Sequence, residues 1–113
     1  MTTLNSFVSE TQLTGSESTL VSTNTTEKKF IGKMTLTNTS TSNVEVTLWR
    51  IASTTTGTTG SGGNWIFKET IPAGKVVTVD KLQGHVLGVS MKISGLAGTA
   101  SVINVDVSGT TET

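Results

Sequence analysis

A period of two in the placement of apolar side chains constrains this chain more than any other feature of its sequence. Residues 28–38 read K-K-F-I-G-K-M-T-L-T-N, with Phe30, Gly32, Met34 and Leu36 on one phase and Lys29, Ile31, Lys33, Thr35 and Thr37 on the other. Successive side chains of an extended strand point to opposite faces, so the alternation describes a ribbon with one face to bury. The pattern returns where Val44, Val46 and Leu48 share a phase, and where Ile103, Val105 and Val107 alternate with Asn104, Asp106 and Ser108. No segment sustains a helical period. Strands are read at 19–23, 28–38, 44–52, 64–71, 75–80, 86–94 and 99–108, seven in all, or eight if the N-terminal segment pairs.

Turn chemistry separates these strands. The run Asn38-Thr39-Ser40-Thr41-Ser42-Asn43 bonds its own backbone through short polar side chains. Pro72-Ala73-Gly74 breaks a strand by fixing φ and removing a donor. Gln83-Gly84 and Gly95-Leu96-Ala97-Gly98 supply two further breaks, and 54–63 is a loop with no side chain larger than Thr. Short strands at this spacing, each with one apolar face, predict two antiparallel sheets packed face to face. The expectation is an all-β sandwich, immunoglobulin-like or jelly-roll-like, over 19–113, preceded by an arm or edge strand over 1–18.

Composition narrows the chemistry. Of 113 residues, 24 are Thr and 13 are Ser, which suits the outward positions of such strands. There is no Cys, so a disulfide scaffold, a thiolate metal site and a cysteine nucleophile are excluded. One His excludes a multi-histidine metal cluster. A net charge of zero gives no electrostatic footprint for nucleic acid or an anionic membrane. No stretch approaches the length of a membrane span, and Met1-Thr2-Thr3-Leu4-Asn5 lacks the basic start of a secretory signal, so synthesis in a cytoplasm is expected.

The constellations that carry chemistry are thin. Asp80, His85 and Ser90 form the one Ser/His/Asp set within a short span, but on a continuous strand His85 and Ser90 point to opposite faces, and no nucleophile elbow supports Ser90. Asp80 and Asp106 lack a calcium-loop signature, and Gly60-Ser61-Gly62-Gly63 lacks the Lys-Ser/Thr of a phosphate loop. We therefore expect no catalysis, cofactor or metal. Lys29 and Lys33, on one strand face beside Lys28, make a solvated strip or a dock for an acidic partner. Trp65 and Phe67 are read as core. Trp49 and Ile51 fall on the phase opposite Val44, Val46 and Leu48, while Arg50 follows the apolar phase. Either a bulge shifts the register there, which is the preferred reading, or Trp49, Arg50 and Ile51 are interface anchors.

The order of features carries a resemblance. A T-N-T-S-T-S-N turn (37–43) leads to V-E-V-T-L-W (44–49), a Gly-rich loop, and I-P-A-G-K-V-V-T-V-D (71–80). L-G-V-S-M-K-I-S (87–94) and S-V-I-N-V-D-V-S-G (101–109) complete it. Over roughly 19–109 this resembles the small β-sandwich virion proteins of tailed bacteriophages, which include capsid decoration (cement) proteins and tail- or neck-associated subunits. The resemblance implies a non-enzymatic virion protein, a homo-oligomer bound to the major capsid protein or to other virion proteins, with no nucleic acid or membrane partner. Attachment is expected through the N-terminal segment (Leu4, Phe7, Val8) and one sheet edge. The rival reading is a carbohydrate-binding fibre module, which needs exposed aromatics, and only Trp49 and Trp65 are offered for that.

Overall fold

A computed structural model describes residues 2–51, 65–80 and 86–113. Within them lie nine strands and no helix: β1 (Thr2–Gln12), β2 (Ser18–Ser22), β3 (Lys28–Asn38), β4 (Val44–Ile51), β5 (Trp65–Ile71), β6 (Val76–Thr78), β7 (Val86–Leu87), β8 (Lys92–Ala97) and β9 (Ile103–Glu112). They form two antiparallel sheets. One runs β1-β9-β3-β6, with β7 also paired to β3; the other runs β2-β8-β4-β5. The fold is thus the expected all-β sandwich. Its expected loop at 54–63 and the break at Gln83-Gly84 lie outside the described residues.

The core is the sum of the inward phases. Ile31, Met34, Leu36, Ile103, Val105 and Val107 of the first sheet meet Val44, Val46, Leu48, Phe67, Ile71 and Ile93 of the second, all essentially buried. Burial of such side chains stabilises by about 1.5–3 kcal/mol each relative to exposure. Two connections also enter. Leu13, between β1 and β2, is fully buried, donates its N–H to the Ile103 carbonyl and accepts from Ser101 N–H. Val79, after β6, is equally buried and donates to the Met34 carbonyl.

Asn38 ties the two sheets together at the end of β3. Its side-chain amide donates to the carbonyls of Ser42 (2.8 Å) and Ile71 (2.9 Å), and its Oδ1 accepts from Ser40 N–H and Oγ–H. The polar turn read at 38–43 is therefore held by its first residue, which is wholly buried. Full satisfaction is what makes that burial tolerable.

Three sequence expectations are corrected. First, Phe30 is not core: it is 44% exposed, and Ile31 is buried in its place. The β3–β9 register shifts between Ile31 and Lys33, so Gly32 is an extra residue that flips the phase of everything before it. Lys29 and Lys33 consequently lie on different faces. Gly109, opposite Ile31, makes the bulge possible, because a Cβ there would overlap the Phe30 carbonyl oxygen.

Second, 86–94 is not one strand. Val86–Leu87 pairs with β3 in the first sheet, whereas Lys92–Ala97 pairs with β4 in the second. Between them the chain crosses the sandwich through a turn with Ser90 at φ 55°, and Val89 is 45% exposed. Third, Gly95–Ala97 is strand rather than turn. Gly95 packs beneath Leu48, Leu13 and Leu20, and the turn follows at residues 98–101, with Ser101 at φ 63°.

Candidate functional site

The outer face of the β1-β9-β3-β6/β7 sheet carries the most distinctive surface among the described residues. Phase reversal at Gly32 sends Phe30 outward, and cross-strand registration sets it beside Val86 of β7 and Thr110 of β9. Phe30 and Val86 are 44% and 47% exposed. One register step away, Lys28 faces Glu112. With Lys29 these residues line an open groove of about 280 Å³. An aromatic ring and a β-branched side chain paired across strands form a firm apolar platform, because neither pays much entropy to stay in place. Leu4 of β1 occupies the same register row, opposite Thr110.

The same face continues along the strands as hydroxyl and charge. Ser6, Lys33, Thr35, Asp106 and Ser108 surround a second, shallower depression of about 100 Å³. At the far end, Val76 of β6 is 63% exposed and registers with Thr37. Outward Thr and Ser therefore separate two apolar ends. The low charge keeps the desolvation cost of covering such a face small.

The predicted interface residues scatter. Lys29 turns toward the interior end of the sandwich: its ammonium donates to the Ser22 carbonyl at 2.7 Å, lies 3.7 Å from Glu27 Oε1, and sits 5.3 Å from the centroid of the Phe7 ring. It joins the two sheets rather than presenting a basic strip. Lys33 is exposed on the outer face. Phe7 is half-buried against the core, at a register shift of β1. The side chains of Leu4, Val8 and Trp65 lie outside the described residues, as do all atoms of His85.

Around Trp49 the preferred reading of the sequence is displaced by one strand. The pairing of β4 with β8 runs unbroken from Val46 to Ile51, so β4 carries no bulge on that side. The shift lies between β4 and β5, where Ile66 is the extra residue. Trp49 and Ile51 thus keep the phase opposite Leu48, outside the main core cluster, yet only 6% and 9% of their surface is exposed. Neither offers a platform for stacking a sugar. Arg50 reaches across the end of the sandwich, donating from Nη2 to the Val86 carbonyl at 2.9 Å.

No group of three or more His, Cys, Asp or Glu gathers to hold a metal among the described residues. Ser90, considered for catalysis, lies in the sheet-crossing turn and donates its backbone N–H to the Asn24 carbonyl. Compared with known proteins, the chain matches no family model, no curated protein and no solved structure.

The Phe30–Val86 pair was hidden from sequence reasoning by a regular alternation through Gly32. A glycine inside a strand pattern is a bulge signal, and it was the one cue that marks the reversal.

Proposed function

We propose that this protein is a non-enzymatic virion structural subunit of a tailed phage, a capsid decoration protein that seats the outer face of its β1-β9-β3-β6/β7 sheet on the capsid lattice. The observation that carries the reading is the exposed Phe30–Val86 pair beside the Lys28–Glu112 register pair, on a sheet whose remaining outer positions are largely hydroxylic. Exposed apolar anchors flanked by polar groups are the kind of side chain on which specific protein interfaces rest. The likeness of residues 37–49, 71–80 and 101–109 to small phage β-sandwich proteins supports the choice of partner.

Removing the N-terminal segment is the wrong test of attachment, because it removes buried Leu13 and one edge of a sheet. The suitable variant is Phe30→Ser with Val86→Ser, which leaves the core intact. Capsids lacking this protein are mixed with wild type or variant and sedimented. Wild type should cosediment to saturation, and the variant should bind at least about tenfold more weakly, the loss expected of two interface anchors. Equal binding by both would overturn the assignment of this face.

A further inference from the structure

Among the described residues, the four edges of the two sheets are not equally guarded. On the β6/β7 edge, Arg50 occupies the Val86 carbonyl, and Pro72 and Lys75 precede β6. In the other sheet β5 carries Lys68 and Glu69, while β2 is five residues long with a register shift, and its Ser22 carbonyl takes the Lys29 ammonium. Lys, Pro and covered carbonyls are the usual means of stopping one sheet from adding to another. The β1 edge has neither Lys nor Pro. From Thr2 to Gln12 it contains no Lys, Arg or Pro, and its only charge is Glu10.

The first part of that edge is also straight. Thr2 to Ser6 pairs with β9 in one continuous register, and the first shift comes between Ser6 and Val8. Bulges bend a strand away from a would-be neighbour, so only this stretch is a flat template. Its centre is Leu4.

We infer that β1 pairs antiparallel with β1 of a second copy of this chain, about a two-fold axis at Leu4. In that register Thr2 faces Ser6 of the other copy, Thr3 faces Asn5, and Leu4 faces Leu4. No like charges meet, and the two five-stranded sheets become one. Arg50 takes the Val86 carbonyl of β7, and β6 is only three residues long, so β1 finds its longest matching edge in β1 of the second copy and the pairing closes as an isologous dimer. The row Val86, Phe30, Thr110 and Leu4 then runs on through the axis, setting both apolar grooves on one continuous face. The dimer does not depend on the capsid reading, and its test uses no capsid.

The full chain is examined by sedimentation equilibrium across about 0.01–1 mM, which covers Kd values from roughly ten micromolar to one millimolar. Two variants carry the argument, both at register positions on the outward phase: Thr2→Lys/Ser6→Lys and Thr2→Glu/Ser6→Glu. Each alone sets like charges opposite one another twice, and its association should weaken about tenfold or more. Mixed in equal amounts, they should form a one-to-one heterodimer at least as tight as wild type. Should either variant misfold, concentration-dependent amide exchange of the wild type reads the same contact, with protection at Thr2–Ser6 rising as dimer forms. A wild type that stays monomeric throughout would overturn the inference. So would a dimer indifferent to both variants, or protection at Thr2–Ser6 that does not change with concentration.

Discussion

Asn38 is the side chain whose loss should cost most for its size. It is wholly buried and makes four hydrogen bonds, two donated and two accepted. Truncation in Asn38→Ala strands the Ile71 carbonyl in a buried setting, which costs about 1–3 kcal/mol. The Ser42 carbonyl and the Ser40 hydroxyl are nearer solvent, and losing their bonds adds about 0.5–1.5 kcal/mol more. The sum is about 1.5–4.5 kcal/mol, a large fraction of the roughly 5–15 kcal/mol that holds a domain of this size together. Asn38→Asp sharpens the test. It keeps the acceptor for Ser40 but aims a carboxylate at two carbonyl oxygens in a buried site, which favours the protonated form and raises the folded-state pKa. A raised folded pKa means the native state binds more protons than the unfolded state. The stability difference from wild type should therefore grow as pH rises from about 4 toward 7, and shrink again on acidification. Urea unfolding followed by tryptophan fluorescence at several pH values measures both. An Asn38→Ala loss below about 0.5 kcal/mol, within the range of ordinary surface substitutions, would refute the reasoning. An Asn38→Asp difference that does not vary between pH 4 and 7 would refute it independently.

Three further outcomes follow from the backbone and the sheet ends. Gly109→Ala forces a Cβ against the Phe30 carbonyl, so the bulge must open; a loss of about 2–4 kcal/mol is expected by the same urea assay, against less than about 1 kcal/mol at an unconstrained strand glycine. Ser101 holds φ 63°, so Ser101→Gly should leave stability unchanged or raise it by up to about 1 kcal/mol, while Ser101→Val should lower it, as thermal unfolding would show. Arg50→Met keeps an apolar stem but frees the Val86 carbonyl; hydrogen exchange at Val86 and Leu87 should quicken while the β9 amides stay protected.

The fold was legible because most strands obey the simple alternation. Val44, Val46, Leu48, Ile103, Val105 and Val107 are buried where their phase puts them. The failures share one cause, that a period of two carries no memory of sheet or register. At Gly32 a single inserted residue exchanged Phe30 for Ile31, and at residues 88–91 the chain changed sheets while its apolar spacing continued. Trp49 shows a third form of this limit, since the bulge belonged to β5, whose sequence near Ile66 gives no sign of it. The polar knot at Asn38 was visible only as a turn. Its burial follows from the end of β5 arriving against it, a contact 33 residues away in sequence. The candidate surface was the least legible part, because exposure of Phe30 and its pairing with Val86 both arise from tertiary register.

We propose that the apolar platform on the outer sheet face seats this protein on a capsid. Cryo-electron microscopy of the intact particle tests it most directly. Sandwich-shaped density at a fixed copy number per lattice unit, with Phe30 and Val86 buried against the shell, is the expected result. Density that turns this face to solvent, or particles that contain no copy of the chain, would contradict it.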